Sequence, residues 1–239
     1  MREPRLPVAQ LEGKEREVKL LVDHREDLVG ERTRIQNRLL WHLHELEPGY
    51  QVVASGLLRT VVLSEVGTRL EKHTGVVAEI ARELVERLGE LTQSVKRLQR
   101  RIEALMQELA PTLISLPGCA GLSAAKLVAE TADIRRFHSS AAFAMHNGTA
   151  PIPVWSGNHQ RHRLNRGGNR QLNVALHRIA ITQIRLGGAA AAYIARRLSM
   201  GNTKTEAIRA LRRQISDEVY RRLRQDHSER LTAYAAVAA

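Results

Sequence analysis

Only one cysteine, Cys119, occurs in the 239 residues, so the chain can close no internal disulfide and build no multi-cysteine zinc site. Aromatic residues make up 3%, which leaves any core to Leu, Val, Ile and Ala and suits helices packed on helices. No apolar run approaches the ~18 residues that a membrane-crossing helix needs. The opening MREPRLPVAQ lacks the apolar centre of a signal peptide. Hydrophobic residues at 43% still supply enough apolar surface for a folded interior, which excludes wholesale disorder. The expectation is a cytoplasmic protein with no membrane partner.

Acid is also in short supply. Lys and Arg total 37 against 25 Asp and Glu, a net charge of +12 and a pI near 10.7. Most of the base is arginine, whose planar fork matches phosphate better than an ammonium does. The excess is clustered rather than spread, so it points to a polyanion partner, nucleic acid first, rather than to a solubilising surface.

Apolar spacing then organises the chain. Val18, Leu21, Val22, Leu28, Val29, Ile35, Leu39, Leu43 and Leu46 fall at helical intervals and predict a helix over about Glu15–Glu47, stopped by EPGYQ. A shorter helix is expected over ASGLLRTVVLSEVGTRLEKH. Leu84, Leu91, Leu98 and Leu105 repeat every seventh residue, as do Leu88, Val95, Ile102 and Leu109. The two series make a coiled-coil seam on a helix from Val76 to Leu109, about 50 Å long. That seam is covered either by the helix before it or by a second copy, and spacing does not decide between them; a homodimer or higher oligomer is the expectation.

Pro111 ends this regular texture. The expected fold is mainly all-α: a helical linker or coiled coil over 1–110, a compact helical domain over 111–227, and a tail over 228–239. TKTE reads as a capping box, with Thr203 and Glu206 opening a helix whose face carries Ile208, Leu211, Ile215, Val219 and Leu223.

Two stretches could carry chemistry. LPGCAGLSAAKLVAE resembles a helix-hairpin-helix element, in which a glycine-bearing hairpin presents backbone amides to a DNA phosphate. Gly118, Gly121 and Lys126 are its candidate contacts, and an ordinary packing corner is the alternative. Cys119 is expected to be buried there rather than reactive. The second stretch is NGTAPIPVWSGNHQRHRLNRGGNRQLN. Pro151 and Pro153 forbid helix, so it reads as an extended arm turning at Ser156-Gly157. Arg161, Arg163, Arg166 and Arg170 beside Gly167-Gly168, just ahead of a helix, form a candidate phosphate cradle. That helix should turn Leu172, Leu176, Ile179 and Ile184 inward. His159 and His162, with His138 and His146 upstream, have no carboxylate or thiol at ligand spacing and sit among arginines, so no metal site is expected. Ser156 by itself is ordinary turn chemistry.

Taken together, LPGCAGLSAAKLVAE, DIRRF, NGTAPI, the Ser-Gly pair and HRLNRGGNRQLN resemble the C-terminal transposase domain of the insertion-sequence 110/116/902 family, which includes Piv-type DNA invertases. REVKLLVDHREDLVGERTRIQNRL resembles that family's helical linker, and the likeness runs from about Arg2 to about Gln225. The resemblance implies a DNA transposase or recombinase whose serine, here Ser156 with Gly157 beside it, attacks a phosphodiester and becomes joined to DNA. It also implies a dimerising coiled coil, a nucleoid-associated location, and for some members a structured guide RNA. Mg²⁺ would be held by an N-terminal RuvC-like acidic half. That half is expected to be missing from this chain, which would then be a truncated form with little cleavage activity alone and no cofactor of its own. Asp23, Glu26 and Asp27 match the linker and not the acidic site. Trp155 departs from the family pattern and is a candidate for stacking on a base or for packing. The alternative is a non-catalytic DNA- or RNA-binding remnant, or a regulator that dimerises with the full enzyme.

Overall fold

A computed structural model describes residues 12–238, so the expectation for the N-terminal ten residues lies outside the described residues. It is mainly helical with one two-stranded sheet. The helices are α1 (Lys14–Leu46), α2 (Thr60–Leu70), α3 (Val76–Leu109), α4 (Pro111–Ile114), α5 (Gly121–Thr131), α6 (Ser140–His146), α7 (Arg170–Leu186), α8 (Gly188–Ser199) and α9 (Lys204–Ala238). Strands β1 (Ile152–Ser156) and β2 (His159–Arg163) lie between α6 and α7. Among the described residues no helix is long and apolar enough to cross a membrane.

The chain divides into two compact units. One is Asp23–Arg101, built from the C-terminal part of α1, α2 and the N-terminal part of α3. Its core joins Leu39 and Leu43 to Leu57, Val66, Leu70, Leu84 and Leu88. Arg25 bonds Gln99, and Arg87 bonds Glu31 at 2.8 Å, so α1 and α3 run antiparallel. The heptad positions of α3 therefore pack on the same chain's α1. The expected second helix is shorter than its spacing suggests. Residues Ala54–Leu58 form a 3₁₀ turn, and Arg59 is extended before α2 begins. This break lets Leu57 enter the core with no exposed surface, while Gln36 of α1 donates to the Ala54 carbonyl. Gly56, a poor helix former, makes the break cheap.

The other unit combines the residues up to Val22 with those from Ile102 onward. Val18 and Val22 meet Ile102 and Met106, and the core continues through Leu113, Leu127, Phe143, Leu172, Leu176 and Ile179. Each such aliphatic side chain withdrawn from water contributes about 1.5–3 kcal/mol. The inward face of α7 is the expected one, with Ile184 half-buried. Leu211, Ile215, Val219 and Leu223 of α9 are buried beneath it, Ile208 half-buried. The TKTE box forms as read: the Thr203 amide and hydroxyl both donate to Glu206 Oε2 at 2.8 Å, and the Glu206 amide donates back at 3.3 Å.

One cap comes from far away in sequence. α4 has only four residues, and Ala110 at its N-cap offers no side-chain acceptor. Asp226, 2% exposed on α9, accepts from the Thr112 amide at 2.9 Å and the Leu113 amide at 3.1 Å. These are the orphan donors of a helix start, satisfied by a buried carboxylate.

Candidate functional site

The segment expected as an extended arm forms a hairpin. Its register pairs Ile152 with Arg163, Pro153 with His162, Val154 with Arg161, Trp155 with Gln160, and Ser156 with His159. Gly157 and Asn158 form the two-residue turn. Gly157 adopts φ +59° and Asn158 does not enter positive φ, the pattern of a type II′ turn. The turn thus requires the glycine after the serine. β2, HQRHR, carries no apolar alternation, so spacing gave no sign of a strand.

Directly paired residues share a face of an antiparallel ladder, and faces alternate along each strand. Ser156 therefore lies on one face with His159, Arg161 and Arg163. Trp155, Gln160 and His162 lie on the other. His159 is the residue that spacing missed: it stands directly across from the hydroxyl. The two histidines expected to be metal-poor are split between faces, and His146 is engaged elsewhere. Its ring meets Arg136 at 3.1 Å and packs on Phe137, and burial followed by Arg136 pushes its pKa down.

The hairpin stands out in solvent. Every residue of β2 is exposed, and so is β1 apart from half-buried Val154. Trp155 is 66% exposed, so within the described residues it packs on nothing substantial. Among the described residues, Arg161, Arg163, Arg166 and Arg170 form no ion pair, and the Ser156 hydroxyl has no hydrogen-bond partner. Other arginines are committed: Arg135 to Asp133, Arg213 to Asp217, and Arg221 and Arg222 to Glu218. Arg212 donates to Asn173 at 2.8 Å. Much of the basic display on α9 is thus structural, whereas that of the hairpin is free.

A set of asparagines fixes the base of the hairpin. Asn147, fully buried, donates to Ser216 at 2.8 Å and accepts from the Thr149 amide and hydroxyl. Asn173 donates to the Asn147 carbonyl, and Asn165 to the Met145 carbonyl, at 2.9 and 2.8 Å. Asn169 caps α7 through the Leu172 amide and donates to Glu130 at 2.8 Å. Glu130 also pairs with Lys19 at 2.9 Å. Burial pushes the Glu130 carboxyl up, but these two donors outweigh it and hold it below the usual range. The two chain segments cross where Gly168 meets Gly148: a Cβ on Gly168 would lie 2.4 Å from the Gly148 Cα and N. Gly168 is required by a backbone crossing, a role distinct from the expected phosphate cradle. Gly167 has open space around it, the Asn165 Oδ1 being nearest at 3.7 Å.

Gly118 and Gly121 also sit at close contacts. Gly118, at φ +80°, would place a Cβ 3.0 Å from the Ile179 carbonyl of α7, and Gly121 would place one 2.8 Å from Glu103. Lys126, on α5, is half-buried. Cys119 is 2% exposed, and burial pushes its thiol up to about 12.

A divalent metal does not fit the serine's surroundings. Its face carries a histidine and two arginines, and among the described residues no three His, Cys, Asp or Glu side chains gather as ligands.

What the fold and hairpin define is a class: a mainly helical, basic protein that holds a serine and uncommitted guanidiniums in solvent on a two-stranded hairpin. Residues 110–195 match the sequence model described as the Transposase IS116/IS110/IS902 family. The chain is also 32% identical, over 155 residues, to the insertion element IS110 uncharacterized 43.6 kDa protein of Streptomyces coelicolor. That match covers 63% of this chain and 38% of that protein, so the chain spans well under half the length of the curated relative. The likeness to this family is thus seated in the C-terminal domain, within residues 110–195.

Proposed function

We propose that this chain is the DNA-engaging, serine-bearing portion of an insertion-sequence transposase, with Ser156 as the nucleophile. The observation that carries the reading is the hairpin register, which gathers Ser156, His159, Arg161 and Arg163 on one exposed face. In the reaction the Ser156 Oγ–P bond forms as a P–O bond to a deoxyribose oxygen breaks. The serine proton passes to the His159 imidazole, and the departing sugar oxygen takes up a proton in turn. Arg161 and Arg163 meet the charge that builds on the phosphoryl oxygens. Arg166, Gly167 and Arg170 hold the flanking phosphates, with Gly118, Gly121 and Lys126 at a second contact. Trp155, on the opposite face, offers a stacking surface to a base. Mg²⁺ belongs to the acidic half that the family resemblance implies.

DNA is the partner in this reading, and a structured guide RNA and a second copy of the chain are further partners. Dimerisation would use surfaces other than the α3 positions already buried. The site of action is the nucleoid. Capture tests the chemistry. The protein is mixed with a polypeptide bearing the family's acidic half, Mg²⁺, and duplex DNA carrying a bridging phosphorothiolate, whose thiolate leaves readily and rejoins poorly. A covalent protein–DNA adduct mapped to Ser156, and absent from Ser156→Ala, is expected. DNA binding without any adduct, or an adduct that survives the substitution, sinks the assignment. It would leave the non-catalytic binding protein as the better account.

A further inference from the structure

A second basic surface lies outside the hairpin. The inward face of α7 is apolar, and its outward face carries Arg170, Val174, His177, Arg178, Ile181 and Arg185, spaced so that all share one side of the helix. From Arg170 to Arg185 the stripe runs about 22 Å. Arg170, His177, Arg178 and Arg185 are all exposed, and among the described residues neither Arg178 nor Arg185 forms an ion pair. Toward its C-terminal end the stripe becomes one wall of an open groove of about 820 Å³. The opposite wall is the Leu116–Ala120 turn with Ser123 of α5. His177, Arg178 and Arg185 line the groove, and none of the described residues lining it is acidic.

The two walls are built to stay together. Gln183 of α7 donates to the Pro117 carbonyl at 2.8 Å, and Gly118 lets the turn approach the α7 backbone. The groove is thus a fixed shape with unspent positive charge along one side. A duplex presents about one phosphate charge per 1.7 Å of axis, so a rigid row of guanidiniums matches it without reorganisation. The stripe begins at Arg170, just after the hairpin's exit, so a backbone held by the hairpin can continue along it.

We propose that the groove between the Leu116–Ala120 turn and α7 is a further DNA-backbone contact, made by Arg178 and Arg185. It rests on the reading that this chain binds DNA. It adds a phosphate-positioning surface that neither reads bases nor touches the reacting serine.

The test is fluorescence anisotropy of the full 239-residue chain with a duplex of about 30 bp across a salt series. Each phosphate contact adds about 0.9 to the slope of log K against log salt. Arg178→Gln with Arg185→Gln should lower that slope by about 1.8, a loss of roughly 60-fold at about 0.1 M salt. Arg97→Gln with Arg100→Gln, which removes equal charge from α3 in the other unit, is the control and should change the slope little. Both groove positions are exposed, so circular dichroism and melting should be unchanged. An unchanged slope in the groove variant, or an equal drop in the control, overturns the proposal while wild-type binding keeps the wider reading intact. Failure of the wild-type chain to bind duplex DNA at all overturns both. If an RNA duplex of equal length binds more tightly and loses more through the same substitutions, the commitment to DNA is wrong.

Discussion

Replacing Gly168 by alanine separates two reasons for a Gly-Gly pair. The added Cβ would stand 2.4 Å from both the Cα and the N of Gly148, and 3.0 Å from the Asn147 carbonyl carbon. All three neighbours are backbone, so no side chain can swing away. Ordinary contact needs about 3.5 Å, so the segments must part by about 1 Å. That shift falls on the bond from the Asn169 amide to the His146 carbonyl, 2.6 Å long, and on the bonds that Asn165 and Asn173 make across the same crossing. Overpacking of this kind costs about 1–3 kcal/mol, and one strained buried hydrogen bond adds about 1 kcal/mol. Gly168→Ala should therefore lower stability by about 2–4 kcal/mol. Gly167→Ala, with open space and no left-handed φ, should be neutral or stabilising by about 0.4–1 kcal/mol. Urea unfolding followed by circular dichroism measures both. If Gly167 exists for close approach of a phosphate, Gly167→Ala should weaken DNA binding while leaving the midpoint unmoved. Equal stability of the two variants would refute the backbone-crossing argument.

Other outcomes follow from the same geometry. Asp226→Ala removes the acceptor for two amides of α4 and should cost about 2–4 kcal/mol in urea unfolding, with Asp226→Asn recovering part of it. Asn147→Ala strands the Ser216 hydroxyl and releases Thr149, and should cost about 2–3 kcal/mol in the same assay. Cys119 should resist thiol reagents in the native state at neutral pH, since its thiol titrates near 12, and react at once in denaturant. The same raised thiol stabilises the fold fully below its unfolded value, and that contribution should fade as pH rises toward about 12. Acid acts through the histidines. Burial, followed by nearby arginines, pushes His146, His177 and His227 down. Below their ordinary value near 6.5 the unfolded chain binds more protons than the folded one, so stability should fall as pH drops from about 6.5. The lowered carboxyls of Glu130 and Asp133 should continue the loss through the carboxylate range. Thermal melts in matched-salt buffers would show this, and a flat profile between pH 7 and 5 would contradict it.

The sequence by itself determined the long helices. Leu84, Leu88, Leu91 and Val95 repeat at a spacing only an α-helix turns onto one face, and Thr203 with Glu206 stops and starts the chain by local hydrogen bonds. Local signals of that kind need no partner to be read. The same is true of the turn at Gly157, where a residue tolerant of positive φ is demanded within four positions. Serine and arginines could be picked out as candidates because they sit in one short segment.

Tertiary structure decided what those residues face. The α3 seam has two possible partners of equal chemistry, and only the fold shows α1 of the same chain lying on it. A strand made of His, Gln and Arg has no apolar alternation to announce it, so pairing alone places His159 opposite Ser156. Nor can composition tell a free arginine from a spent one. Arg222 is bound to Glu218 on its own helix and to the Thr112 carbonyl, while Arg178 and Arg185 form no ion pair among the described residues. Gly168 beside Gly148 and Asp226 beside Thr112 lie 20 and 114 residues apart. Such contacts depend on where the chain returns in space, which the spacing of residues along it does not contain.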